Sequence, residues 1–377
     1  MKKLTAFLLI AVLALSGITA FAIGEDFTST SSILMEATTG KILYAHKENS
    51  HRSIASITKL MVLLIAMEKI EAGELSLTDT VVGTKEAREV GGSTIFLDTG
   101  EKMSVDDIIK GICVASGNDA AVALAQHIAG TTDKFVKLMN DRALTLGMKN
   151  TNFVNVMGFD ENKHYSSAKD VAILSREILL NHPKILEYSM IKEDVLRGGK
   201  TQLFNTNKLL STYKYTTGLK TGTETDAKYC VSATAEKDGM KLISVILGAD
   251  SSESRFSEAK ELFEYGFDRH MMKRVAKKGE SFGKAKVIKG AEATVNAVVE
   301  NLSEVPIKNT DEDKIKKEAE IFDDIKAPLK KGTKVGILKV SLGDEPIAEY
   351  DLVAEKDVEK ISLFGAFIRV FKSLFKF

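Results

Sequence analysis

Eight consecutive apolar residues, Leu60 to Met67, sit inside a longer helical pattern that runs from Ile54 to Ile70. A helix that is apolar all round has no face to offer water and belongs in the middle of a core. Directly before that run stands Ser56-Ile57-Thr58-Lys59. A hydroxyl and an amine three residues apart share one helical face, with Cβ atoms roughly 5–6 Å apart. Ser56 also falls at the expected N-terminal end of the helix, where unpaired N–H groups and the positive dipole end favour an oxyanion.

The rest of the chain supplies material to surround such a helix. Strand patterns at Ser32–Glu36 and Lys41–Ala45 bracket a Thr39-Gly40 turn, and Tyr229–Ala235 and Met240–Gly248 flank Asp238-Gly239, a strong hairpin signal. Helical patterns cover Val105–Ala115, Asn118–Ala129, Thr132–Leu146 and Ala168–Asn181, the last stopping before Pro183. Past residue 275 the texture changes to short alternating runs, Thr294–Val299, Lys334–Leu342 and Pro346–Ala354, and three of the four prolines fall there. The division expected is 1–22 a signal peptide, 23–274 a catalytic unit, 275–357 a small all-β unit and 358–377 a terminal amphipathic helix, with Glu355–Lys360 as a charged link.

Composition excludes several classes. At 44% hydrophobic and 28% charged the chain is neither disordered nor collagen-like. Its 52 basic and 52 acidic residues become 50 against 52 once Lys2 and Lys3 are set aside with the leader, a net charge of −2 that offers no basic face for nucleic acid. Cys113 and Cys230 are too few for a disulfide scaffold or a four-cysteine zinc site, and whether they pair is open. The six histidines show no H-E-x-x-H spacing, and there is no G-x-S-x-G elbow. A metal site or a Ser-His-Asp triad therefore has no support in the sequence.

The serine–lysine pair is left. S-x-x-K alone is a poor signal, since it occurs seven times. Only the match at Ser56 opens the buried helix, and downstream of it come, in order, Ser116-Gly117-Asn118 and Lys220-Thr221-Gly222, patterns that each occur once. Taken singly, each has a plain structural use. Ser116 and Asn118 would serve as caps for the helix beginning at Asp119, and Lys220 as a solvated turn lysine.

The ordered trio resembles the penicillin-recognising serine enzymes. The text around it, ASITKLM, SGNDAAVALA, GFDENKHYSSAKD and GLKTGTETDAKYC, is similar to that of the low-molecular-mass penicillin-binding proteins, serine-type D-alanyl-D-alanine carboxypeptidases. The resemblance covers about 27–270. It implies an α/β sheet flanked by a helical subdomain, with the site between them, followed by a small all-β domain and a C-terminal amphipathic helix. It implies no cofactor. The substrates implied are peptidoglycan stem peptides, with β-lactams as covalent inhibitors.

By that resemblance Ser56 is the nucleophile and Lys59 its base. The amine serves only when neutral, a form that burial and the charge of Lys220 both favour. Ser116 relays a proton to the leaving D-alanine, and Asn118 bonds the substrate amide. Lys220, Thr221 and Thr223 receive the terminal carboxylate beside Gly222, and the N–H groups of Ser56 and Thr223 form the oxyanion hole. Arg255 is the expected carboxylate-binding arginine; its other reading is a surface ion pair with Glu253 or Glu258. A serine β-lactamase and a non-hydrolytic peptidoglycan-binding scaffold are the competing readings. The lactamase string E-x-x-L-N does occur at Glu177–Asn181, but inside a helical pattern, so Glu177 reads as an exposed helix residue.

Both ends concern localisation. Met-Lys-Lys, the apolar run Leu4–Leu15 and Ala20-Phe21-Ala22 read as a secretory signal cleaved after Ala22, which puts the protein on the extracytoplasmic side of the membrane. In ISLFGAFIRVFKSLFKF, Phe364, Phe367, Ile368, Phe371, Leu374 and Phe375 share one helical face, and Arg369, Lys372 and Lys376 lie on the other. That pattern describes a helix lying in the plane of a membrane surface.

Overall fold

The computed structural model describes residues 23–375, with side-chain surroundings given as far as Val370. The expected signal peptide, 1–22, lies outside the described residues. A five-stranded antiparallel sheet forms the centre of the first unit. Its strands are β1 (Ser31–Glu36), β2 (Ile42–His46), β3 (Thr216–Glu224), β4 (Lys228–Lys237) and β5 (Met240–Ala249), arranged in the order β2-β1-β5-β4-β3. The β4–β5 turn is the expected Asp238-Gly239, both at positive φ (51° and 81°), the conformation a tight hairpin between twisted strands requires.

Alternation along these strands builds two cores. Leu34, Val231, Leu242 and Ile246 face a long helix, Ser252–Arg269, whose Leu262 and Phe263 cover that side. Ile33, Met35, Ile243, Val245 and Leu247 point the other way into the larger core. There lies α1 (Lys59–Glu71), every residue from Lys59 to Met67 buried. Further helices, α2 (Val105–Val114), α3 (Asn118–Ala129), α4 (Thr132–Thr145) and α5 (Ala168–Asn181), complete that layer. Ser104, Thr131 and Ser167 start α2, α4 and α5 by accepting from the N–H three residues on, the ordinary way a helix start satisfies an orphan donor.

The second unit is all-β. Its main sheet runs in the order Ser281–Lys286, Thr294–Val299, Glu345–Ala354, Lys334–Leu342, Ile315–Ile321, around a core that includes Val287, Val335, Leu338 and Leu352. Two boundaries differ from expectation. The strand His270–Ala276 begins before 275 and pairs with Ser303–Lys308, so the long helix feeds directly into the second unit. Glu355–Lys360 is no free link, because Val358 exchanges backbone hydrogen bonds with Leu329 and Glu359 accepts from Ala291. A charged composition conceals such pairing, since edge backbone can pair whatever the side chains do. The terminal helix runs Leu363–Phe375, starting five residues later than expected.

Glu177 also differs. It is half-buried and bonded to Arg142, which also holds Glu68. The guanidinium from α4 draws the carboxylate off the surface, a contact that periodicity within α5 cannot reveal. Cys113 and Cys230 are buried and unpaired.

Gly158 offers a test of how tightly the layers meet. Its φ is +94°, and a Cβ there would fall 1.9 Å from the carbonyl oxygen of Ala55. Gly158→Ala combines a left-handed backbone with a backbone clash and should cost about 2 kcal/mol or more. Thermal unfolding followed by circular dichroism should show Tm lowered by several degrees; an unchanged Tm would refute the close approach.

Candidate active site

Ser56 does not lie within α1. It sits in a 3-10 turn, Ala55–Thr58, that leads into the helix, and Ala55 before it has φ +47°. A left-handed alanine is uncommon and persists only where its surroundings hold it. Those surroundings are Gly158 on one side and Gly222 on the other. A Cβ on Gly222 would lie 2.6 Å from the Ile54 carbonyl oxygen and 3.2 Å from the Ser56 nitrogen. The missing side chains let β3 and the 158 loop close on the turn from both sides.

Lys59 is fully buried, yet its Nζ lies 2.7 Å from Ser56 Oγ and donates to the Met157 carbonyl at 2.9 Å. Among the described residues no carboxylate pairs with it. Burial, and secondarily the charge of Lys220, hold its pKa well below the ordinary lysine range. A neutral amine against a serine hydroxyl is a nucleophile–base pair. The Met157 carbonyl is itself fixed: Asn155 Oδ1 accepts from the N–H groups of Met157, Gly158 and Phe159. Sequence reasoning misses Asn155, because it acts on Lys59 from nearly a hundred positions away.

Ser116 lies on the loop entering α3 and Asn118 is the first residue of that helix, both buried, with Ser116 at φ +62°. Neither caps the helix. Gly117 occupies the N-cap position without a side-chain hydrogen bond, and Ala120 N–H donates instead to the Asp119 carboxylate. Asn118 Nδ2 donates to the Gly91 carbonyl at 2.7 Å, while its Oδ1 is buried with no partner. A buried acceptor left open is costly and marks a place where a donor is expected. Asp119 fixes the neighbouring loop by accepting from the N–H groups of Ile95 and Leu97, a second role that no local pattern signals.

On β3, Lys220 is 1% exposed, so it is no turn lysine. Burial first, and the Arg255 charge with it, lower its pKa to about 7. Thr221 Oγ1 lies 2.6 Å from Thr206 Oγ1, and Thr223 is exposed. Arg255 lies behind β3, buried, and donates to Thr223 Oγ1 at 2.9 Å and to the Gly222 carbonyl at 3.0 Å. It forms no ion pair with Glu253 or Glu258; Glu258 instead receives Thr28. Arg255 thus holds the threonine that faces the groove.

The structure thus joins Lys59 to Ser56, seats β3 against the Ser56 turn at Gly222, and sets the charges of Lys220 and Asp119 near the Lys59 amine, with Arg255 holding Thr223. A family model described as D-alanyl-D-alanine carboxypeptidase matches residues 19–251, and a second, penicillin-binding protein 5 C-terminal domain, matches 271–360. The D-alanyl-D-alanine carboxypeptidase DacF of Bacillus subtilis is 37% identical over 372 residues, covering 96% of this chain and 95% of that protein. The solved structure of penicillin binding protein 5 from Haemophilus influenzae superposes with a TM-score of 0.81 at 30% identity, covering 90% of this chain and all of that one. Penicillin-binding protein D2 of Listeria monocytogenes, solved in its ampicillin-bound form, gives 0.59 at 31%, over 64% of this chain and 98% of that one.

The two lysines are electrostatically coupled, and this gives a signed expectation. Protonation of Lys59 removes the base, so acylation of Ser56 by a β-lactam should fall as pH drops. Because the Lys220 charge lowers the Lys59 pKa, Lys220→Gln should move the midpoint of that fall to higher pH, whatever it does to the maximal rate. Stopped-flow acylation at pH 5–9 measures it; an unmoved midpoint would separate the two lysines.

Proposed function

The chain belongs to the D-alanyl-D-alanine carboxypeptidase family and is a serine-type enzyme of that activity, acting on peptidoglycan stem peptides; on that premise we propose that Ser56 carries the acyl group and Lys59 is its base. The observation that carries the assignment is the 2.7 Å contact between Ser56 Oγ and a fully buried Lys59 amine.

The terminal carboxylate enters against Lys220, Thr221 and Thr223, and its negative charge favours the protonated, cationic form of Lys220. Ser56 Oγ attacks the carbonyl of the penultimate D-alanine as its proton passes to Lys59 Nζ. The oxyanion forms between the N–H groups of Ser56 and Thr223; losing one such donor typically costs about 100- to 1000-fold. As the C–N bond breaks, the proton travels through Ser116 to the departing D-alanine amine. Water then attacks the ester and frees Ser56. Asn118 accepts from the substrate's amide through its open Oδ1. Arg255 positions Thr223. β-Lactams, which the Listeria relative holds as ampicillin, enter the same cleft and acylate the same serine.

We further propose export by the 1–22 segment and attachment to the outer face of the membrane by the terminal helix. Supporting this, Phe364 and Phe367 of the expected apolar face are each more than half exposed and Ile368 is 38% exposed, and no described helix is long and apolar enough to cross a membrane. Side chains 371–377, which carry the rest of the expected apolar face, lie outside the described residues. Basic residues near an anionic surface each add about 1 kcal/mol.

Ser56→Ala should abolish both release of D-alanine from a pentapeptide and covalent labelling by fluorescent penicillin, read by mass spectrometry. Labelling that persists would transfer the nucleophile elsewhere. Deleting 361–377 should move the enzyme into the soluble fraction with turnover of a small soluble peptide unchanged. A truncated enzyme that still pellets with membranes would sink the anchor reading.

A further inference from the structure

Beside the catalytic cleft lies a second, open cavity of ≈ 480 Å³ that the mechanism leaves unused. Its wall carries both signs of charge, with Arg52 and Lys228 set among Asp160, Glu161 and Asp226. Most of these groups are engaged. Asp160 accepts from Ser53 and from the Asp226 N–H, Glu161 accepts from Asn155, and Lys228 pairs with Asp250. His51 stacks on Tyr165. Arg52 and Asp226 are the exceptions. Arg52 is half-buried, its Nε is wholly buried without a hydrogen-bond partner, and no side-chain bond or ion pair ties it down among the described residues. A guanidinium in that condition calls for a carboxylate. The exposed Asp226 carboxylate, also without an ion pair among the described residues, stands ready for a cation.

The stem peptide has one way to reach this cavity. The Lys220 end of β3 is buried, whereas Thr223, Thr225 and Asp226 are exposed, so the groove opens toward the β3–β4 turn. With the scissile carbonyl beside Gly222 and Ser56, the preceding part of the stem leaves past Glu224. Four residues separate Gly222 from Asp226, at most about 13 Å of extended chain and less through a turn. The third stem residue adjoins the penultimate D-alanine directly, and a long side chain on it reaches about 10 Å from the scissile carbon.

We propose that this cavity receives the distal end of the third stem residue and that it is built for a zwitterion, a carboxylate and an ammonium on one carbon, as in diaminopimelate. Arg52 takes the carboxylate and Asp226 the ammonium. The inference rests on Ser56 and β3 forming the substrate groove.

The test compares two soluble pentapeptides that differ only at the third residue, diaminopimelate against lysine, using full-length enzyme. Wild type should favour the diaminopimelate stem in kcat/KM. Arg52→Gln should lose roughly ten- to a hundredfold on that stem and change little on the lysine stem, which lacks the distal carboxylate. Asp226→Asn, on an exposed turn where folding is not at stake, should weaken both stems. Penicillin, which lacks the third residue, should acylate both variants at the wild-type rate. Equal turnover of the two stems by wild type overturns the proposal. So does an equal loss on both with Arg52→Gln, which would assign the arginine to a carboxylate common to both stems. An Asp226→Asn variant indifferent to both stems removes the ammonium half and the zwitterion with it. Failure of the serine assignment would appear separately, as wild-type enzyme that takes up no penicillin.

Discussion

Everything in the first unit is arranged around one uncompensated amine. Lys59 is enclosed by the apolar start of α1 and by the 158 loop, with a carbonyl and a hydroxyl as its hydrogen-bond partners. Burying a charged ammonium without a counterion is too costly for a fold to bear, so the group gives up its proton instead. The neighbouring Lys220 adds a like charge from β3 and pushes in the same direction. The core that stabilises the fold is thus also what lowers the lysine's pKa. No histidine is needed for that role. His164, a buried imidazole near the turn, is held neutral by burial, with a pKa of about 4, and is spent on Thr58.

The contact between that amine and Ser56 needs the serine to stay within reach, and the backbone around Ser56 is tightly constrained. Ala55 is left-handed, Gly158 and Gly222 both press close on the turn, and at each glycine a side chain would collide with backbone. The same contacts bring three distant stretches of chain together, so an error in packing between sheet and helices would be felt directly at the nucleophile. Asn155 and Asp119 extend the pattern. Each carboxylate or amide oxygen gathers two or more backbone N–H groups, which fixes a loop beside the site at the expense of a buried polar group that is fully used.

The Thr223 end of β3 is more open. Thr223 meets solvent while the buried Arg255 donates to its hydroxyl. The sequence pointed to Arg255 as a direct ligand because an arginine after the last strand is well suited to a carboxylate. In the structure it bonds Gly222 and Thr223 while its Nε stays buried without a hydrogen-bond partner.

Much of this was legible from the chain alone. The buried helix declared itself through eight apolar residues in a row, and the β4–β5 hairpin through Asp238-Gly239. The reactive serine stood out among seven similar motifs through its place at the head of that helix, and through the order in which S-x-N and K-T-G come after it. These are local signals, carried by periodicity and by turn chemistry over a few residues. What the chain did not reveal was every relation between distant segments. That Glu177 would be held by Arg142, that Val358 would pair with Leu329, that Asn155 would fix the carbonyl under Lys59, and that Arg52 would face a cavity without a partner all depend on which surfaces meet. Sequence determines which groups are present and which local conformations they prefer. Only tertiary packing decides which of them lose their water, and it is the loss of water that holds the Lys59 pKa well below that of an ordinary lysine.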